Sequence, residues 1–466
     1  MLLLYACREA GHYCIQEYFM AKNIRLSDHF TYSKLLRFTL PSIVMMVFTS
    51  IYGVVDGLFV SNFVGKTAFA SVNLVMPFVM ILGGMGFMIG TGGTALVSKI
   101  LGEGDPDTAN RTFSMMVLFT LALGIVLSAA GIVFMRPVSR FLGATDAMMD
   151  DCVLYGRIVT GFTFAFMLQN VFQSFFIAAE KPKLGLKVTV AAGLANMVLD
   201  ALFIAVFNWG VAGAAIATVL SQIASCGIGF AYMHRRYALL RFSLRELRMD
   251  LKTAGRILQV GAPMAIQQSI VSCGFLFLQK LVNLFGESMI ASYTVASRME
   301  NILMIPIIGI QNTMATFAGQ NMGAQRPDRV SKGLGQGVLV SLGMTLILCL
   351  AQIAGIPLII RAFQLDAGAA DICRLHLFSS AVAIPIFAVY FPANGMCQGV
   401  GEGFHATFYA LLALGLRVVF AYALHKTSLF GYTAIWWSQA MSWTITLVVC
   451  YVHFFRGKWK DKSLIS

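Results

Sequence analysis

The sequence predicts an all-α polytopic membrane protein, with twelve transmembrane helices as two six-helix bundles related by a pseudo-two-fold axis along the membrane normal. Three observations carry this. Of 466 residues, 58% are hydrophobic and 12% charged, about half the charge of a soluble domain. Apolar segments of about twenty residues, the length that spans a bilayer, recur along the whole chain. Shifting the sequence by 221 positions brings its two halves into register. Porin-type strands would alternate apolar and polar residues, and these segments do not.

Residues 1–30 begin with a very short apolar run and lack a small-residue cleavage site, a poor fit to a signal peptide. They read either as an extension ahead of a start at Met20 or as a short interfacial helix. Candidate spans follow at roughly 35–60, 69–96, 112–133, 153–178, 185–207 and 210–233, the N-lobe of residues 31–234. A connector at 235–256, with six arginines, has the character of an amphipathic helix lying on the membrane surface. Spans at roughly 257–283, 289–316, 334–358, 374–397, 404–424 and 430–455 form the C-lobe of residues 257–455, and 456–466 is a basic tail.

The net charge of +13 reads as the basic loops of a membrane protein rather than as a nucleic-acid surface. One side of the membrane collects Lys22, Arg25, Lys34, Arg37, Lys99, Arg111, Lys181, Lys183, Lys187, the connector, Arg326, Arg329, Lys332 and the tail. The other has far fewer, among them Lys66, Arg136, Arg140, Arg361 and Lys426. Both termini are therefore expected in the cytoplasm, in a multi-pass inner-membrane protein. The nine cysteines are scattered without a CxxC pair, and the seven histidines show no metal-ligand spacing.

At the 221 offset "LGEGDPDTANR" (101–111) falls on "MGAQRPDRVSK" (322–332), Gly65 on Gly286, Cys152 on Cys373, Gly210 on Gly431 and Ser221 on Ser442. Two repeats of six spans insert with the same orientation and leave a cleft between them, a transporter architecture.

An acid within a span is costly and marks a functional site by default. Asp56 lies in the first span with Tyr52 one turn before it, and Asp200 lies in the fifth with Asn196 one turn before it. The offset places Asp56 on Phe277, Asn196 on Arg417 and Asp200 on Ala421, so the acids belong to one half only. In the eighth span Glu300 stands two residues after Arg298, a spacing that faces them apart. Glu300 is either a cleft residue that meets cationic substrate or half of a buried structural pair. Gln267 and Gln268 of the seventh span are further candidates for the cleft. Pro41 shares a span with Asp56 and permits a bend. The glycines of "GGMGFMIGTGG" (83–93) have no strand before them and no GK[ST] after, so they predict close helix packing rather than a phosphate loop. No ATP site is found, no cofactor is called for, and the 26 Met and 37 Phe suit a loose apolar site where they reach the cleft.

On these residues the chain resembles the MATE (multidrug and toxic compound extrusion) transporters, in particular their DinF-like and MepA-like bacterial branch. The resemblance spans about residues 30–455 and rests on the repeat, "PSIVMMVFTSIYGVVDGLFVSNFVG", the "LGEGD" loop, "NMVLD" followed by "GVAGAAIAT", and "GAPMAIQQS". It implies a monomeric, V-shaped exporter of cationic or amphipathic compounds that exchanges them for H⁺ or Na⁺ by alternating access and is not an enzyme. It also implies a cation or proton site at Asp56, Asn196, Asp200 and Thr218, with Tyr52 and Tyr155 close by and Pro41 as the bending point. Na⁺ is a candidate occupant of those four residues. Some branches carry a Glu in the seventh span where this chain has Val271, which favours coupling through the N-lobe. The alternative is a lipid-linked oligosaccharide flippase of the same superfamily, which calls for a cationic cleft; here Arg298 and Arg417 are the few intramembrane arginines found. A membrane-embedded transferase would need a clustered motif at a membrane face, and "GEGDPD" (102–107) is the only acidic cluster of that kind.

Overall fold

The computed structural model describes residues 32–235 and 284–459, apart from 364, 428, 429 and 458, with isolated residues between 255 and 282. Residues 1–30, the connector, most of the seventh span with Gln267 and Gln268, and most of the tail lie outside the described residues. The rest is helical nearly throughout: α1 (Tyr32–Phe59), α2 (Lys66–Glu103), α3 (Pro106–Phe141), α4 (Asp146–Gly161), α5 (Thr163–Ala178), α6 (Pro182–Asp200), α7 (Gly210–Arg235), α8 (Glu287–Gly323), α9 (Pro327–Ala362), α10 (Ala367–Gly399), α11 (Gly403–Leu424) and α12 (Ala434–Phe455). Among the described residues eight helices are long and apolar enough to cross a membrane, or nine with the bent pair α4 and α5 taken as one span. The structure thus gives a multi-pass helical membrane protein.

Two features depart from the helices read off the sequence. First, α2, α3, α8 and α9 run 38, 36, 37 and 36 residues, about 55 Å at 1.5 Å per residue against an apolar thickness of about 30 Å. They carry Lys99 and Arg111, and Arg326 to Lys332, on or beside their overhanging ends. Second, the fourth span is bent by 53° between α4 and α5. No proline stands there. Thr160 Oγ1 donates to the Gly156 carbonyl at 2.6 Å and Thr163 Oγ1 to the Thr160 carbonyl at 2.8 Å, and such hydroxyls compete with the helix ladder for its acceptors.

The turn between α2 and α3 shows what "GEGDPD" does. Asp105 caps α3, accepting from the Thr108 amide at 3.0 Å and the Thr108 hydroxyl at 2.6 Å, with Pro106 at the first helical position. The Thr108 hydroxyl and amide hold the Asp105 carboxyl below its usual range. The counterpart, Arg326 before α9, makes no side-chain cap.

The glycines of 83–93 pack helices closely, as expected. A methyl at Gly86 or Gly83 would collide with Met167 or Phe166 of the α4–α5 span. A symmetric pair crosses between the halves: Gly102 lies against the Gln320 carbonyl and Gly323 against the Lys99 carbonyl. Each position of the first contact maps onto the second at the 221 offset, so the repeat's two-fold passes between the C-terminal ends of α2 and α8. The start of α1 reinforces this junction, with Leu35 and Phe38 buried against Met314, Phe317 and Leu334 and Thr39 Oγ1 donating to Thr313 Oγ1 at 3.3 Å. The halves therefore meet at the end that carries the basic loops.

Candidate ion and substrate site

Asp56 and Asp200 come from α1 and α6, which pack along each other. Their approach has a local cause. Gly193 of α6 leaves room for two rings of α1, since a Cβ there would stand 2.6 Å from Phe48 and 2.9 Å from Tyr52. Beyond each acid the helix loosens into a π-helical turn, Val60–Val64 after Asp56 and Ala201–Val206 after Asp200, and the two loosened segments touch. Such π segments cluster at functional sites because they re-aim side chains and free backbone groups.

Asp200 is fully buried, Asp56 is 9% exposed and Asn196 2%. The Asp56 and Asp200 carboxyls lie within side-chain hydrogen-bonding reach of each other. That bond exists only if one of them is protonated, because two ionised carboxylates are both acceptors. Tyr155 of α4 is fully buried and within electrostatic reach of both acids, and Tyr52 is within reach of Asp56. Among the described residues Asp56 Oδ1, both Asp200 oxygens, the Tyr155 hydroxyl and Asn196 Nδ2 have no hydrogen-bond partner. A buried cluster of unsatisfied polar groups is costly. It becomes favourable when a proton or a hard cation enters, since either one neutralises charge and satisfies the acceptors.

Of the residues expected at this site, the structure thus gathers Asp56, Asp200, Tyr155 and Tyr52, with Asn196 buried one turn below Asp200. Thr218 is half-buried on α7, next to α6, and its carbonyl accepts from Ser221 at 2.8 Å. No described hydrogen bond ties its side chain to the carboxyls. Pro41 is buried inside α1.

Glu300 has a partner the sequence did not reveal. Its Oε1 lies 3.1 Å from His376 Nε2 on α10. The His376 ring is stacked between Tyr293 at 5.6 Å and Trp436 at 4.6 Å. Arg298, two residues away, is exposed, so the pair at that spacing indeed faces apart. His376 occupies the position of Tyr155 at the 221 offset, and that equivalence was the available signal for it.

At the junction of the halves a cavity of about 40 Å³ is lined by Thr91 and Thr94 of α2, Ser174 of α5, Asn312 and Thr316 of α8 and Gln398 of α10. Thr91 and Asn312 are equivalent at the offset, so this small cavity straddles the two-fold between the halves.

The MatE family model matches residues 41–202 and 263–423, one stretch in each half. The chain is 21% identical over 408 residues to the multidrug export protein MepA of Staphylococcus aureus (strain NCTC 8325 / PS 47), covering 87% of this chain and 90% of MepA. It is 23% identical over 439 residues to the probable multidrug resistance protein YoeA of Bacillus subtilis (strain 168), covering 92% of this chain and 94% of YoeA. Its fold is similar to that of a multidrug resistance MATE family transporter of the MOP superfamily solved in an outward-facing conformation, with a TM-score of 0.88 at 21% identity over 95% of this chain and 99% of that one. The chain belongs to the MatE family of transporters and is not an enzyme.

Proposed function

We propose that this protein is a secondary active multidrug efflux antiporter that exports cationic or amphipathic compounds in exchange for H⁺ or Na⁺. It works as a twelve-span monomer of two six-helix lobes, in the inner membrane with both termini in the cytoplasm and without ATP. The observation that carries this reading is the buried approach of Asp56 to Asp200 with their oxygens unsatisfied. The names of MepA and YoeA support export of drugs as the task.

With the basic loops cytoplasmic, the contacts of Gly102 with Gln320 and of Gly323 with Lys99 close the cytoplasmic side, and the cleft opens outward. Substrate-loaded protein in this state takes up H⁺ or Na⁺ between Asp56 and Asp200. Asn196 and Thr218 supply further oxygens for Na⁺, a hard cation that prefers oxygen ligands. Neutralising the pair lets the polar faces of α1 and α6 repack. Pro41 lacks the amide that would hold the preceding turn of α1, so the bend falls there. The repacking displaces substrate, the lobes reverse, and the ion leaves to the cytoplasm. One charge crossing about 100 mV yields about 2.3 kcal/mol, which supports roughly 50-fold accumulation of a neutral compound.

The test is efflux of a fluorescent cationic drug from cells and everted vesicles. Asp56→Asn and Asp200→Asn are each expected to lose ion-driven export while remaining folded in the membrane. Wild-type export by both variants would sink the proposal.

A further inference from the structure

We infer that a second ion site, for a divalent transition metal of the zinc class, lies in the C-terminal half at Glu402, His405 and His453. Glu402 ends the turn between α10 and α11, His405 stands in the first turn of α11, and His453 in the last turn of α12. One donor atom from each lies within 4.8 Å of the others. Glu402 Oε2 is 3.2 Å from His453 Nε2, and Glu402 Oε1 is 3.9 Å from His405 Nδ1. Tetrahedral zinc with bonds of about 2.0–2.1 Å sets its donors about 3.3 Å apart. The first spacing already matches. The remaining donor spacings, all within 4.8 Å, close as the His405 side chain, 36% exposed, swings toward the Glu402 carboxylate.

Three further features point to a ligand rather than to a simple ion pair. The Glu402 side chain is 1% exposed, so its carboxylate meets the two imidazoles out of solvent. Tyr409, itself buried, hydrogen-bonds His453 Nδ1. With Nδ1 protonated and donating to the Tyr409 oxygen, the Nε2 lone pair faces Glu402, the arrangement that orients metal-bound imidazoles. A cavity of about 410 Å³ opens beside the imidazoles and is lined by His405, Tyr409, Val449, His453 and Arg456. Two imidazoles and one carboxylate leave a fourth position free. The cavity has room for water or a small anion there, and Arg456 favours an anion. Glu402-x-x-His405 is local, but His453 comes from the neighbouring helix, so no spacing in the sequence announces the set.

The site would tie the start of α11 to the end of α12, away from the Asp56 and Asp200 pair in the other half. The experiment uses the full chain, purified through a tag without histidines, with Zn²⁺ titrated against a chromophoric chelator. One Zn²⁺ per chain at micromolar or tighter affinity is expected, with nitrogen and oxygen donors at about 2.0–2.1 Å by X-ray absorption. His405→Ala and His453→Gln should each weaken binding at least about tenfold, and Tyr409→Phe by about tenfold through loss of the orienting bond. His425→Ala, at the far end of α11, should bind as wild type. His405→Ala alters a half-exposed side chain, and size-exclusion profiles report whether each variant is folded. Absence of Zn²⁺ binding by wild type, or undiminished binding by both His405→Ala and His453→Gln, would overturn the assignment.

Discussion

Equivalent positions in the two halves have opposite chemistry. Where the N-terminal half has Asp56, Tyr155, Asn196 and Asp200, the C-terminal half has Phe277, His376, Arg417 and Ala421. In the first half two buried acids face each other, and three of their oxygens have no hydrogen-bond partner among the described residues. In the second the acids are gone, and the one acid that remains near that level, Glu300, already has a partner in His376 at 3.1 Å. One scaffold thus holds a pair of facing acids in one half and an acid hydrogen-bonded to a histidine in the other. On the proposed function, the asymmetry rather than the fold would assign ion coupling to one half. The shared parts, such as Gly102 and Gly323, pack the two halves together.

The largest effect is expected from making the first half like the second. Asp200→Ala copies Ala421 and should lower ion-driven drug export by more than about tenfold, because the remaining carboxylate loses the partner with which it shares an ion. Adding Ala421→Asp to that variant should not restore export, since the second half lacks an equivalent of Asp56. Recovery in the double variant, read as efflux from everted vesicles, would break the comparison.

Next in size is the junction. Gly323→Leu places a side chain against the Lys99 backbone, and a close-packed interface tolerates such overpacking poorly, at about 1–3 kcal/mol. Export should fall severalfold. A spin-label distance across the basic ends of α2 and α8 should lengthen; an unchanged distance would place the closure elsewhere. The Glu300 and His376 pair comes third. Glu300→Gln should lower the melting temperature in detergent, since a hydrogen bond to a charged group is worth about 1.5–3 kcal/mol, while ion-driven export stays within about twofold of wild type. Loss of drive without loss of stability would shift ion coupling toward the C-terminal half.

Asp105→Asn is the smallest. The folded-state pKa of Asp105 lies below the ordinary value of 3.8 because of Thr108. Its contribution is therefore present above that value and fades as pH falls through the folded-state pKa. Melting curves should show a slight loss for the variant at pH 7, and the gap should narrow toward pH 3. A gap independent of pH would mean that the ionised carboxylate is not what caps α3.

The sequence carried the class of fold well. Apolar length and basic loops mark most spans directly, and the equivalence of Gly102 and Gly323, each packed on the other half's backbone, is visible in the repeat. Asp56 and Asp200 stood out because a charge in an apolar run has few explanations. Other features left no such trace. The bend between α4 and α5 has no proline, and threonine hydroxyls that bond to helix carbonyls stand beside it. The π turns after Asp56 and Asp200 depend on how α1 and α6 fit together, and no residue type marks them. His376 is one aromatic among many until Tyr293 and Trp436 are seen to stack on it. The groups that act through neighbours distant in sequence were the ones hardest to read.

The most direct test reconstitutes the protein in liposomes and imposes the Na⁺ and pH gradients one at a time. The account predicts that at least one gradient drives uptake or release of a cationic drug by wild type, and that Asp56→Asn and Asp200→Asn abolish the response to it. Gradient-driven transport that survives in both variants would contradict the assignment of coupling to these two acids.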